Sequence, residues 1–149
     1  MDQVLAVSQL YVDLRQQEQR GKLELIEFQA EPACRRRYMS GDRSVTLKPD
    51  AYVVTAVGDF ERYQFAEIDR GTESLSVVRR KAEAYVEYWR LGIEAERLGV
   101  FPQVVWLVPD KSRKVVLVRA LARVPAEEWQ MYEVRSTEAP MQPTAPRVY

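Results

Sequence analysis

The sequence predicts a single α/β domain in which a mixed β-sheet is flanked by helices. A chain of 149 residues, 46% of them hydrophobic, is long enough for one core of ordinary size. Turn-forming Gly58 and Asp59 separate two runs rich in β-branched and aromatic residues, which indicates an antiparallel hairpin. After Phe65 a strand, a helix and another strand alternate, which favours parallel neighbours. The sheet is therefore expected to be mixed.

The N-terminal third predicts a helix, a strand and an irregular connection. The helix spans Asp2 to Arg20, with Asp2 as its cap, Gly21 as its stop and an apolar stripe formed by Val4, Val7, Tyr11 and Leu14. A strand follows from Leu23 to Phe28 and ends before Pro32. The segment from Glu31 to Ser44 has little periodicity and is predicted to be a loop.

The rest of the chain predicts the remainder of the sheet and its covering helices. Apolar Leu75, Val78, Ala82, Tyr85 and Trp89 recur at helical spacing, and the continuous apolar run from Val104 to Val108 is typical of a central strand. The expected elements are strands at 51–57 and 62–69, a helix at 74–91, a strand at 104–108, a helix from the Asp110 cap to Ala122 and a strand at 129–134. We assign residues 1–135 to the core domain and residues 136–149, which contain three prolines, to a flexible tail.

The composition excludes several classes of function. The 22 basic and 22 acidic residues cancel, so attraction to nucleic acid must come from local patches. Without histidine, Ser-His-Asp and Cys-His catalysis are excluded, and any metal bound by Asp and Glu would be a hard cation such as Mg²⁺ or Mn²⁺. Cys34 is the only cysteine, which predicts a cytoplasmic protein, and no apolar stretch predicts a membrane span.

Carboxylates gather at one end of the predicted hairpin. Asp50 precedes one strand and Glu67 lies near the end of its partner, while Asp69 shares the Glu67 face because alternate residues point the same way. These three groups could hold a cation that activates water for attack on a phosphodiester. The same residues are also compatible with a Pro49-Asp50 turn and with solvated ion pairs to Arg62 or Arg70.

A family resemblance favours the catalytic interpretation. The runs LAVSQLYVDL, KPDAYV, FAEIDRGTES, RRKAEAYVEYW and FPQVVWLVP resemble the replication-relaxation family of plasmid proteins, which is linked to plasmid replication and relaxation of plasmid DNA. That family is similar to the PD-(D/E)XK phosphodiesterases, so the resemblance implies a restriction-endonuclease-like fold. It also implies that Asp50 and Glu67 are the motif carboxylates and bind Mg²⁺ or Mn²⁺, with Glu31 as a further acidic ligand.

The chain departs from the nuclease pattern at one position. Asp69 stands where that pattern has its lysine, two residues after Glu67. Lys81, at the margin of the predicted helix face, is one substitute, although it could instead pair with Glu87, and Arg70 is another candidate. Three functions therefore stay open: a DNA-nicking phosphodiesterase, an inactive module of the same fold for DNA or protein binding, or a phage or plasmid accessory domain with no DNA contact.

Basic residues supply the predicted contacts to plasmid DNA. Arg35, Arg36, Arg37 and Arg70 are candidates for phosphate contacts and Tyr38 for base stacking, although a short basic run is more often a solvated loop. Gly71 to Ser74 could cap the following helix or hold a phosphate on its free amides. The family resemblance further implies a winged-helix region ahead of the core, so the chain is expected to be a fragment or a short member of the family. Other replication proteins are therefore possible partners in targeting.

Overall fold

The computed structural model describes residues 3–124 and 131–137. Its helices and strands confirm the predicted alternation. In chain order they are α1 (Gln3–Gln19), β1 (Glu24–Ala30), β2 (Arg36–Ser40), β3 (Arg43–Leu47), β4 (Ala51–Val57), β5 (Phe60–Ile68), α2 (Leu75–Arg90), α3 (Ile93–Leu98), β6 (Gln103–Val108), α4 (Lys111–Leu121) and β7 (Tyr132–Ser136). Throughout these described stretches, no helix combines the length and the apolar character that crossing a membrane requires.

A mixed five-stranded sheet forms the centre, in the order β1-β4-β5-β6-β7. The first three strands are antiparallel, whereas β6 runs parallel to both β5 and β7. The predicted hairpin is confirmed as β4 and β5, and its turn uses Gly58 at φ 60°, a backbone conformation that favours glycine. The predicted mixed sheet is thus correct.

Helices cover both faces of the sheet. Helix α1 packs Leu10 and Leu14 on one face, against small and β-branched residues of β4, β5 and β6. Helices α2 and α4 cover the other face, where the aromatic side chains Tyr52, Phe65 and Trp106 are buried. Strand β6 is buried on both sides, as its continuous apolar sequence predicted.

The buried faces of α1 and α2 differ in part from the apolar stripes that the sequence predicts. Val4 is 75% exposed and Tyr11 lies at the rim against Phe28, because α1 turns Leu10, Leu14 and Gln17 toward the sheet instead. Apolar residues occur on more than one side of α1, so helical spacing alone could not select the buried side. On α2 the predicted face is confirmed at Val78, Ala82 and Tyr85, but Tyr88 is buried and Trp89 is exposed.

The predicted loop over 31–44 is wrong in its second half. Strands β2 and β3 form a separate antiparallel hairpin there. Tyr38 is buried and packs against Tyr88, with 5.5 Å between ring centroids, so it cannot stack on a base as predicted. The strand pattern was hidden because a charged residue, Arg36, occupies an inward position on the same side as Tyr38.

The structure tests the predictions for the two ends of the chain only in part. The last strand is confirmed as β7, but it continues to Ser136, which is buried. A tail therefore cannot begin at Ser136. The predicted helix cap Asp2, the predicted strand start Trp129 and residues 138–149 lie outside the described residues.

A buried ion pair fastens the β2-β3 hairpin to α3. Glu94 is almost fully buried, and its carboxylate accepts hydrogen bonds from Arg36 Nε at 2.5 Å, Tyr88 Oη at 2.7 Å and Arg97 at 2.9 Å. Burial alone would raise the pKa of Glu94, but these donors hold it below its ordinary value. The Arg36 guanidinium also lies over the Tyr52 ring, 4.9 Å from its centroid.

We expect Glu94→Ala to lower the free energy of unfolding by roughly 3–5 kcal/mol, because it leaves the Arg36 charge buried without its partner. Urea unfolding followed by circular dichroism measures this loss. Glu96→Ala is the matched control, since Glu96 is exposed on the same short helix. Equal stability of the two variants would show that the Arg36–Glu94 pair does not hold the hairpin.

Candidate carboxylate–lysine site

The predicted carboxylates Asp50 and Glu67 lie at the same end of the β4-β5 hairpin. In the strand register Ala51 pairs with Ala66, which brings the preceding Asp50 opposite the following Glu67. The backbone N–H of Asp50 donates to Ala66 O at 3.0 Å, and Asp50 Oδ2 accepts the N–H of Ile68 at 2.7 Å. The hairpin thus holds the Asp50 carboxylate across the end of β5.

Helix α2 completes the site with two side chains. Tyr85 Oη donates to Glu67 Oε1 at 2.6 Å, and Lys81 Nζ lies 3.7 Å from Glu67 Oε2. Lys81 and Tyr85 are four residues apart and therefore share one side of the helix. Lys81 points at Glu67, as one of the two interpretations expected, and it also pairs with Glu73 at 2.9 Å rather than with Glu87. We call Asp50, Glu67 and Lys81 the carboxylate–lysine site.

Burial dominates the electrostatics of this site. Glu67 is 3% exposed, and burial together with the nearby Asp50 raises its pKa to about 8, against the opposing effects of Lys81 and Tyr85. Burial also raises the pKa of Asp50, despite its hydrogen bonds to the Ile68 N–H and to the Gln3 side chain. Burial by itself would lower the pKa of Lys81, but Glu67 and Glu73 raise it overall. Two adjacent carboxyl groups with raised pKa values favour an added proton or cation.

Asp69 is committed to a different interaction. Its carboxylate accepts from Arg113 Nε at 3.0 Å and Arg113 Nη2 at 2.9 Å, a bidentate ion pair that is fully buried on the Asp69 side. Arg113 also donates to the carbonyl of Glu73 at 2.7 Å, so it links the end of β5 to α4 and to the approach to α2. The structure therefore gives Asp69 an architectural contact in place of the predicted convergence with Asp50 and Glu67.

Glu31 stands apart from the two central carboxylates. It is exposed and pairs with Arg35 at 3.1 Å, although it is near enough to contribute to the raised pKa of Asp50. In the described part of the chain, no three acidic or cysteine side chains are grouped closely enough to hold a metal ion. The predicted ligand set of Asp50, Glu67 and Glu31 is thus not assembled, and Asp50 with Glu67 is what the fold brings together.

The predicted DNA-contacting arginines are dispersed. Arg36 is partly exposed, but its guanidinium pairs with Glu94 and lies over the Tyr52 ring, which does not favour the predicted contact to DNA. Arg35 is paired with Glu31, and Arg37 is exposed on β2. Arg70 is exposed just beyond β5, and the backbone turns at Gly71 with φ 86°. The basic run therefore does not form one surface.

Three residues contact the predicted site residues, although these contacts were not predicted from the sequence. Tyr85 was expected only in the core, Glu73 only next to a helix cap, and Arg113 was not singled out. The spacing of Lys81 and Tyr85 was the one available signal, since residues four apart on a helix face the same way. The capping prediction for Ser74 is confirmed, because its hydroxyl accepts the N–H of Val77.

We expect the free energy of unfolding of wild type to fall, relative to that of the Glu67→Gln variant, as pH rises from about 5 to about 8. The folded state holds a proton on Glu67 up to a pKa of about 8, whereas the unfolded chain loses it near the ordinary value of 4.5, so stability is lost between those values. The relative slope reaches at most about 1.4 kcal/mol per pH unit. Urea unfolding at several pH values measures it, with exposed Glu24→Gln as control. Parallel stability curves for wild type and Glu67→Gln would contradict the shift.

Comparison with known protein families gives a match. The family model described as replication-relaxation matches residues 1–104, a span that contains Asp50, Glu67 and Lys81. Neither the curated proteins nor the solved structures gave a match. The family points to a role in the replication or relaxation of plasmid or mobile-element DNA. Because the match covers more than half of the 149 residues, the chain belongs to the replication-relaxation family.

Proposed function

We propose that the carboxylate–lysine site hydrolyses a phosphodiester bond of DNA with the help of Mg²⁺ or Mn²⁺, and so nicks the DNA that is replicated or relaxed. The observation that carries this proposal is the convergence of Asp50, Glu67 and Lys81 from β4, β5 and α2. Paired carboxylates with a nearby lysine are the groups that a restriction-endonuclease-like phosphodiesterase requires. The order of β1, β4, β5, α2 and β6, with β5 and β6 parallel, supports the same comparison.

The donor chemistry of the site fits a hard divalent cation. Mg²⁺ commonly takes one or two carboxylates from the protein and completes its shell with water and substrate phosphate. Asp50 and Glu67 supply those two carboxylates, and the raised pKa of each indicates that they lack sufficient cationic compensation. When bound, the cation would polarise the phosphodiester and lower the pKa of the attacking water.

The other residues of the site have distinct roles in this proposal. Lys81, whose pKa is raised, remains charged and would stabilise the negative charge that develops on the phosphate oxygens. Tyr85 fixes the rotamer of Glu67 through its 2.6 Å hydrogen bond and acts as a positioning residue. Lys81 would thus replace, from α2, the lysine that is missing at the Asp69 position.

One observation favours the alternative of an inactive DNA-binding or protein-binding module. The Lys81 ammonium already pairs with Glu73 at 2.9 Å, and Glu67 with a pKa of about 8 is largely protonated at neutral pH. Lys81 and Glu67 are then each neutralised by groups of the protein itself, without a metal ion. In this alternative the same contacts only fasten α2 to the sheet, and DNA or a protein partner binds elsewhere.

Nicking of supercoiled plasmid in about 10 mM Mg²⁺ tests the proposed function. We expect wild type to produce open circles, and Asp50→Asn, Glu67→Gln and Lys81→Ala each to slow nicking by at least about 100-fold, because each removes a group placed at the reacting phosphate. Exposed Glu24→Gln is the control and should act like wild type. Full activity in Asp50→Asn and Lys81→Ala would refute the site, and a folded wild type that binds DNA without nicking it would support the inactive module.

Binding of the cation has a readout that does not depend on activity. We expect Mg²⁺ to raise the melting temperature of wild type more at about pH 8 than at about pH 6, because Glu67 must lose its proton to bind the ion. Glu67→Gln should show little increase at either pH, and Glu24→Gln should follow wild type. An equal increase in Glu67→Gln and wild type would place the cation elsewhere.

A further inference from the structure

Helices α2 and α4 enclose a groove whose rim is basic. Arg79 of α2, Arg119 of α4 and Arg123, which follows α4, line an opening of about 270 Å³. Leu75, Val116 and Ala120 line the rest of it. We call this feature the arginine groove. None of its residues belongs to the carboxylate–lysine site.

Within the described residues, the three arginines have no carboxylate partner. No side-chain hydrogen bond or ion pair in that part of the chain involves the guanidinium group of Arg79, Arg119 or Arg123. By contrast, Arg36, Arg97 and Arg113 are each neutralised by a buried acid. In a chain whose 22 basic and 22 acidic residues cancel, three such arginines around one groove are a local excess of positive charge.

Helix stability accounts for only part of this excess. Arg119, in the last turn of α4, is favoured by the negative end of the helix dipole, whereas Arg79 lies beyond the first turn of α2, where the dipole has little effect. An anion bound at the groove would neutralise charges that no side chain of the described residues neutralises. Guanidinium donors match phosphate oxygens in geometry as well as in charge.

We propose that the arginine groove binds the phosphodiester backbone of DNA without reading its sequence. This assignment rests on the proposed DNA-acting function and names the surface that holds the substrate. The arginines are the only lining residues with polar side chains, and their positive charge matches the phosphates, which receive most protein–DNA hydrogen bonds. Arg79 and Lys81 are two residues apart on α2, about 3 Å along its axis and on different sides of it, so the groove and the carboxylate–lysine site share one rigid element.

Fluorescence anisotropy with a labelled duplex in EDTA tests the groove without requiring catalysis. The test variant carries Arg79→Gln, Arg119→Gln and Arg123→Gln. The charge-matched control carries Arg20→Gln, Lys22→Gln and Arg43→Gln, all at exposed positions remote in sequence from the groove. We expect the groove variant to weaken binding at least about tenfold at low salt and to reduce the slope of log K against log salt by about 3, while the control stays within about threefold of wild type. Circular dichroism melting checks that both variants are folded.

The other outcomes distinguish DNA from free polyphosphate as the ligand, and they separate the groove proposal from the nuclease proposal. Equal weakening in the groove variant and the control would show a general charge effect and overturn the groove. The groove is also overturned if wild type does not bind the duplex, or if tripolyphosphate binding is lost in the groove variant while duplex binding is unchanged. Groove-dependent binding by a wild type that never nicks plasmid would keep the groove and refute the nuclease. Nicking by a wild type whose DNA binding does not depend on the groove would keep the nuclease and refute the groove.

Discussion

The buried carboxyl group of Glu67 is the constraint on which the arrangement of this domain depends. It lies near the end of β5, with Asp50 of the neighbouring strand end close by and Tyr85 of α2 donating to it. Removing a carboxyl group from water is costly unless it is protonated or compensated. The domain meets this requirement with a raised pKa, a tyrosine hydroxyl and the Lys81 ammonium. The position of α2 over the sheet is therefore coupled to the chemistry of the site.

The same need to compensate buried charge explains which other residues are available for function. Asp69 is neutralised by Arg113 and Arg36 by Glu94, so two residues that belong to motif-like runs serve to join elements instead. Such pairs tie β5 to α4 and the β2-β3 hairpin to α3. Both ion pairs are largely shielded from water. Removing one partner of such a pair is strongly destabilising. Asp50, Glu67, Lys81 and the arginine groove have no such joining role as their only contact, and the proposals rest on them.

The two interpretations of the carboxylate–lysine site differ in what compensates Glu67. In the catalytic interpretation Asp50 and Glu67 would hold a divalent cation in place of the Glu67 proton, and the Lys81 ammonium would face the substrate phosphate. In the inactive interpretation the proton, Tyr85 and the Lys81–Glu73 pair are the final state. Both interpretations agree with the observed fold and with membership of the replication-relaxation family. The distinction is thus one of protonation and ion binding at neutral pH, not of architecture.

The sequence by itself determined the β4-β5 hairpin, the α2 helix with its Ser74 cap and the doubly buried β6, because each of these depends on residues close together in the chain. It also placed Asp50 and Glu67 at one end of the hairpin. Only the tertiary structure decided that Asp69 pairs with a residue 44 positions away and Arg36 with one 58 positions away. Ion pairs over such separations leave no local period or spacing. The arginine groove was hidden for the same reason, since elements distant in the chain create it, whereas the local β2-β3 hairpin was hidden by the inward position of charged Arg36.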